Sequence, residues 1–386
     1  MSPSRVLRAL SAGALCAAGL AACSSGAAQP ANLISISTGG CGARWHLATA
    51  GWTTFHVHNG STGAAEVDLI NPANGAIYGE VEAVGPGTTD PMRVDVGSGR
   101  YAFRCLIEDT DAITGPTVTV AGHTRGAPAI LPVTTNDLLG PAHQYHAYVA
   151  AGLDTLVSQT DAIAARIRSG DLAGARAAWL PAHLTYERLG AAYGTFGNYD
   201  DEIDGRPDGL PGGVHDPHWT GFYRLEYGLW HGQSAQALAG LVGPVSTLDK
   251  NVRALRAAWP AMEVDLLDLG LRTHEILENA LQFQLTGHDD YGSGTTLATT
   301  EANVQGTREL LTVLHPLLAP RYTGLASVTT WLNRLQDQLR AAQQPGGRWT
   351  AAGDLPTARR QQLDSAAGQA LQVLAPIAVI TEPRRT

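Results

Sequence analysis

Between Ile34 and Val120, apolar and polar residues alternate, as in Thr54-Phe55-His56-Val57-His58, Ala65-Glu66-Val67-Asp68-Leu69 and Arg100-Tyr101-Ala102-Phe103-Arg104-Cys105. A period of two sends successive side chains to opposite faces of a sheet. Turn pairs such as Asn59-Gly60, Asn74-Gly75 and Pro86-Gly87 separate the runs, so the pattern predicts an antiparallel β-sandwich over residues 34–120. Residues 121–140 lose this period, carry Pro128 and Pro132, and read as a linker. Over residues 141–380 the period lengthens to 3.6 in Ala/Leu/Arg-rich stretches, which predicts an all-α bundle. Helices are expected near 141–168, 171–194, 220–231, 245–287 with a break, 298–318, 322–343 and 356–376. The segment from Gly194 to Trp219 is too long for an ordinary bundle turn and is where function is expected.

The first residues follow neither pattern. Arg5 and Arg8 precede an apolar run, Ala9 to Ala22, shorter than the ~20 residues a membrane helix needs. Residues 1–22 therefore read as a secretion signal. The run closes on Leu20-Ala21-Ala22-Cys23, which resembles a bacterial lipobox. That resemblance implies a lipid on Cys23, a tether over residues 23–33, and a body held at the outer face of the cell membrane. Cys16 lies in the leader, so Cys41 and Cys105 are the remaining thiols, and in an oxidising compartment the default for such a pair is a disulfide.

With 386 residues and 44% hydrophobic content, the chain can build two cores. Its net charge of −9 becomes −11 once Arg5 and Arg8 leave with the leader. Nucleic acid and anionic lipid surfaces are poor partners for such a chain, and cations are natural ones. Only 16% of residues are charged, against ~25% in typical soluble chains, so each acid can be placed individually.

Trp179, Ala182, His183, Tyr186, Glu187 and Gly190 share one helical face, which points His183 and Glu187 inward. Phe222, Leu225, Glu226 and Leu229 do the same for Glu226, with Tyr223 one turn before it and Thr220 as N-cap. A third stripe, Leu271, His274, Glu278, Leu281 and Leu285, places Glu278 among apolar neighbours. Between the first two helices lies Asn198-Tyr199-Asp200-Asp201-Glu202-Ile203-Asp204-Gly205-Arg206, dense in acids with a single arginine. Buried carboxylates need a cation, a donor or a proton. One reading is a structural ion-pair network through Arg206. The other is a bound cation held by oxygen ligands, which accounts better for the surplus charge. His215 and His218 read as exposed loop residues. The run His274-Glu275-Ile276-Leu277-Glu278 lacks the second histidine of a zinc-protease signature, and GxSxG, P-loop and dinucleotide fingerprints are absent from the sequence.

The blocks Ala182-His183-Leu184-Thr185-Tyr186-Glu187-Arg188-Leu189-Gly190, Tyr199-Asp200-x-x-Ile203-Asp204-x-Arg206 and Gly221-Phe222-Tyr223-Arg224-Leu225-Glu226 resemble the imelysin-like domain of the EfeO family. These are extracytoplasmic components of EfeUOB iron-uptake systems, commonly with an N-terminal cupredoxin-like domain. The resemblance implies a cupredoxin-like β-sandwich followed by an imelysin-like helical bundle. It also implies metal ligands at Glu187, Asp200, Tyr223 and Glu226, supported by His183, Asp204, Arg206 and Glu278. The family motif is His-x-x-Glu, and this chain departs from it by holding Tyr223 at the histidine position. A phenol with a free pKa of ~10 is a poor ferrous ligand and a good ferric one, so either this chain favours ferric iron, or the metal relies on Glu187, Asp200 and Glu226 with Tyr223 as a donor to those ligands.

In the β half, Cys41, Glu66, Cys105 and Glu108 form a second candidate set. As thiolates and carboxylates they would bind copper or a second iron; as a disulfide, Cys41 and Cys105 staple the sandwich. An ordinary blue-copper centre needs two histidines and a cysteine, and Glu66 and Glu108 stand where such ligands are expected. The function implied is an iron-binding transport component whose partners are the permease and the haem peroxidase of the same system, with metal or redox handling by the β domain. The alternative is an imelysin-like metallopeptidase, which needs an open coordination position, a bound water and a general base.

Overall fold

The computed structural model describes residues 32–385; the expected leader, the Cys23 lipidation site and nearly all of the tether lie outside them. Among the described residues nine strands come first: β1 Leu33–Ser37, β2 Gly40–Cys41, β3 Gly51–Asn59, β4 Ala65–Ile70, β5 Ile77–Val84, β6 Thr89–Val96, β7 Gly99–Ile107, β8 Ile113–Thr114 and β9 Val118–Val120. They form two sheets, ordered β2-β1-β3-β6 and β5-β4-β7-β8, with β9 also on β7. β1 runs parallel to β3, and the other described pairings are antiparallel.

The alternation in the sequence becomes the two faces of each sheet. Ile34, Phe55, Val57 and Met92 from the first sheet pack in one core with Val67, Leu69, Phe103 and Cys105 from the second. Glu66 and Asp68 consequently point to the other side of β4 from Val67.

The helices are α1 Thr135–Arg168, α2 Leu172–Glu187, α3 Tyr193–Phe196, α4 Asn198–Asp204, α5 Gly221–His231, α6 Ala235–Ala239, α7 Val242–Ala258, α8 Leu266–Asn279, α9 Thr296–Leu318, α10 Leu325–Arg340, α11 Thr357–Leu374 and α12 Pro376–Thr381. A β-sandwich followed by a helical bundle is therefore the architecture. Helix α1 starts six residues before Pro141, because Thr134 and Asp137 form a reciprocal capping box, an arrangement that stabilises a helix by about 1 kcal/mol. Nor is the segment before it loose, since Arg321 donates to the carbonyls of Leu131 and Pro132 at 3.0 Å.

The expected irregular segment between Gly194 and Trp219 contains α4. Its first turn carries Asp200 and Asp201, which complement the positive end of the helix dipole. Thr220 is the N-cap of α5 by position, yet its hydroxyl donates to the Glu202 carbonyl at 2.9 Å instead of capping its own helix. Gly221 follows with φ +91°, and a Cβ there would lie 2.4 Å from the Ile203 carbonyl oxygen. Only glycine lets α5 begin this close to the end of α4, and that approach sets Tyr223 beside Asp204.

Candidate metal centre

Asp171 caps α2 by accepting from the Gly174 amide at 2.8 Å. The helix buries Ala175, Trp179, Ala182, His183, Tyr186 and Glu187, the face the spacing predicts. Trp179 Nε1 donates to the Phe222 carbonyl at 3.0 Å and ties this face to α5. His183 and Glu187, one turn apart, are thereby held against the end of α4.

His183 Nε2 lies 3.1 Å from a Glu187 oxygen and 3.1 Å from Asp204 Oδ1. The His183 side chain is 2% exposed. Neither of its ring nitrogens makes an aligned hydrogen bond, and Asp204 Oδ1 also lacks one. One N–H cannot serve two carboxylates, so as a hydrogen-bond network the three groups are incomplete, and as a cluster of ligand atoms they could hold a cation. Burial opposes charge on His183, but Asp204 and Glu187 outweigh it and raise its pKa well above the ordinary histidine value. Asp204 is also raised well above the carboxylate range, by burial and by Glu187 and Asp200. The cluster thus retains protons that isolated groups would lose. With its amide nitrogen turned toward Glu187, Asn303 donates to Glu187 Oε2 at 2.9 Å and to its carbonyl at 3.1 Å.

These groups border a cavity of about 540 Å³. Its acids are Glu187, Asp200, Asp201, Asp204, Asp208 and Asp289, and its cationic side chains are Arg206 and Arg272. Arg272 is engaged by Glu275 at 3.0 Å and Asp268 at 3.8 Å, neither of which lines the cavity. Arg206 reaches Asp289 at 3.3 Å. Negative charge in the cavity therefore exceeds what its own guanidinium groups offset.

Asp200 accepts from the Tyr186 hydroxyl at 2.5 Å, and burial pushes its pKa up to about 6. Tyr223 is 3% exposed and donates to Asp289 Oδ2 at 3.4 Å. Burial, then Asp204, Glu187, Asp289 and Glu226, hold its phenol well above the ordinary value. Sequence reasoning missed Asp289. It sits in the loop before α9, where no periodicity marks it, and the acidic doublet Asp289-Asp290 was the only signal.

Two expected residues lie elsewhere. Glu226 is buried, but Oε1 accepts the Tyr291 and Ser293 amides at 3.1 and 2.9 Å, so it fastens the loop that carries Asp289. Burial raises its pKa to about 7. Glu278 is not inward: its side chain is 46% exposed and lies 3.6 Å from His274. The buried face of α8 is Leu269, Gly270, Thr273, Ile276 and Leu277, out of phase with the expected stripe because Leu271 is itself exposed.

The second candidate set does not assemble. Cys41 and Cys105 are bonded to each other across 64 residues, which removes both thiolates and with them the copper ligand set. Cys105 pairs with Val67 and faces the core, so alternation sends Glu66 to the opposite face, while Glu108 is exposed beyond β7. Glu66 instead stands near Asp68 and Glu80, with ligand atoms within 4.8 Å of one another. Arg104 holds Asp68 at 2.7 Å and Arg384 pairs with Glu80.

The family model described as Imelysin matches residues 141–377. The iron uptake system component EfeO of Yersinia pestis is 31% identical over 276 residues, covering 70% of this chain and 69% of the relative. EfeO of Yersinia pseudotuberculosis serotype I (strain IP32953) is 31% identical over 274 residues, and that of Escherichia coli O1:K1 / APEC is 29% identical over 273, each with the same two coverages. By both the domain match and the EfeO relatives, this chain belongs to the imelysin family, among the EfeO-type proteins.

Proposed function

We propose that the protein is the extracytoplasmic iron-binding component of an EfeUOB-type uptake system, holding its cargo ion in the acidic cavity of the helical bundle. The observation that carries this reading is the buried set His183, Glu187 and Asp204, whose ligand atoms lie within 4.8 Å of one another while His183 and Asp204 lack aligned partners. An imidazole with two carboxylates suits a first-row divalent ion. Asp200, Tyr223 and Asp289 stand around it as further oxygen donors. Tyr223 stays neutral beside a ferrous ion, and a ferric ion is able to displace its proton. In this reading Glu226 positions the Asp289 loop, and the histidine that the family motif places at position 223 is supplied by α2 at His183.

The lipid anchor on Cys23, by resemblance of its segment to a lipobox, and the cupredoxin-like identity of the sandwich with the permease and haem peroxidase as partners, by resemblance to the EfeO family, complete the proposal. The test is elemental analysis of anaerobically purified protein. Stoichiometric iron in the wild type that disappears in Glu187→Gln supports the reading, and protein that neither carries nor takes up iron ends it. Chelator-sensitive cleavage of unfolded protein substrates, lost in Glu187→Gln, would replace transport with the metallopeptidase alternative.

A further inference from the structure

We infer that Arg206 is a built-in counter-cation that occupies Asp289 until the cargo ion arrives and competes with it for the cavity. This inference rests on the reading of the cavity as the cargo site. Asp289 is 2% exposed on its side chain, and a buried carboxylate cannot stay charged alone. It receives Gln284 Nε2 at 2.9 Å and the Tyr223 hydroxyl at 3.4 Å, and its cationic neighbour is Arg206.

The contact has the features of a displaceable partner rather than a strut. Arg206 Nη1 approaches both Asp289 oxygens at 3.3 and 3.4 Å, beyond the 2.7–2.9 Å of a firm charged hydrogen bond. The Arg206 side chain is 34% exposed. By contrast, the structural pair in the sandwich, Arg104 and Asp68, meets at 2.7 Å with 7% and 0% exposure. In the same position the guanidinium Cζ lies 3.8 Å over the Phe283 ring, a cation–π contact that would remain if the Asp289 contact were lost. On the same rim His288 Nε2 lies 3.0 Å from Asp208, so the segment after α4 and the loop before α9 are joined by two exchangeable polar pairs. A cation entering beside Glu187 and Asp204 would repel Arg206 from Asp289, free that carboxylate, and loosen one of these pairs.

The prediction has a sign opposite to that of a structural role. Ferrous ion is titrated anaerobically at fixed pH and ionic strength into full-length wild type, Arg206→Gln and Arg206→Lys. Removing the competing charge in Arg206→Gln should tighten binding by about ten-fold, as expected for one unit charge several ångströms away in a partly wet site, while Arg206→Lys should stay within about two-fold of wild type. Unchanged or weaker binding by Arg206→Gln overturns the inference while leaving the cargo site intact. Where Arg206→Gln folds poorly, Arg206→Met takes its place: tighter binding than wild type supports the competing charge, and unchanged or weaker binding overturns it. A wild type that binds no iron defeats the cargo reading and this inference together.

Discussion

His183 Nε2 and Asp204 Oδ1 lie 3.1 Å apart although they belong to α2 and α4, and no aligned hydrogen bond accounts for the approach. Trp179 ties α2 to α5 through the Phe222 carbonyl, and Gly221 lets α5 begin against the end of α4, so the pair lies where these two contacts meet. Against the cost of burial, Asp204 and Glu187 together favour the protonated imidazole, so the approach is an electrostatic attraction inside a buried site.

Neutralising one member should therefore change affinity and stability together. Asp204→Asn is expected to weaken ferrous binding by at least about ten-fold, because a charged oxygen donor is lost, and to lower the melting temperature of the metal-free protein, because the buried imidazole keeps only Glu187 as its carboxylate partner. Isothermal titration and a thermal melt on the same preparation measure both. A melt lowered by several degrees with affinity retained would show that Asp204 is a structural partner of His183.

Tyr223 offers a spectroscopic readout. If its phenolate joins a ferric ion, loading the wild type with ferric iron should produce a visible charge-transfer band that Tyr223→Phe lacks. Anaerobic ferrous affinity of the same variant should stay within about three-fold of wild type, since the neutral phenol contributes little to a divalent ion. Equal ferric spectra for the two proteins would remove Tyr223 from the ligand set.

The legibility of the chain follows from which physical signals are local. Alternation in β4 and β7 and the 3.6 period of α2 were readable because burial acts on every turn of an element, so the inward positions of His183 and Glu187 followed from spacing alone. The phase of α8 was misread because Leu271 is apolar yet exposed, and one such residue shifts a stripe and turns Glu278 inward on paper. Asp289 and Asn303 were invisible because loop geometry and the packing of α9 bring them to the cavity, and neither leaves a period. Glu226 was read correctly as buried, but its use depends on two backbone amides 65 and 67 residues away.

The bridge between Cys41 and Cys105 closes a separation of 64 residues, and closing a loop of that length stabilises the folded state by about 4 kcal/mol in the chain-entropy model. Replacing both cysteines by serine should lower the unfolding transition of the sandwich while iron binding by the helical bundle persists. Denaturant unfolding followed by fluorescence, with iron titration alongside, tests the separation. Loss of iron binding with the sandwich still folded would restore a metal role to those sulfurs.

Glu226 predicts a pH dependence whose sign follows from burial. Its folded-state pKa is raised from 4.5 to about 7, chiefly because burial disfavours the carboxylate. The unfolded chain loses that proton near the ordinary value, so between the two pKa values the native state binds more protons. The contribution of Glu226 to stability is then fully present below about pH 4.5 and is lost as pH rises through about 7. An isosteric Glu226→Gln keeps a carbonyl oxygen to accept the Tyr291 and Ser293 amides and has no proton to lose. Its stability should match the wild type near pH 5 and exceed it near pH 8, by up to about 3 kcal/mol. Urea unfolding at the two pH values gives the difference directly. A variant that is less stable at pH 8 would mean that the charged carboxylate is what holds the loop, and that the two backbone amides outweigh the cost of burying it.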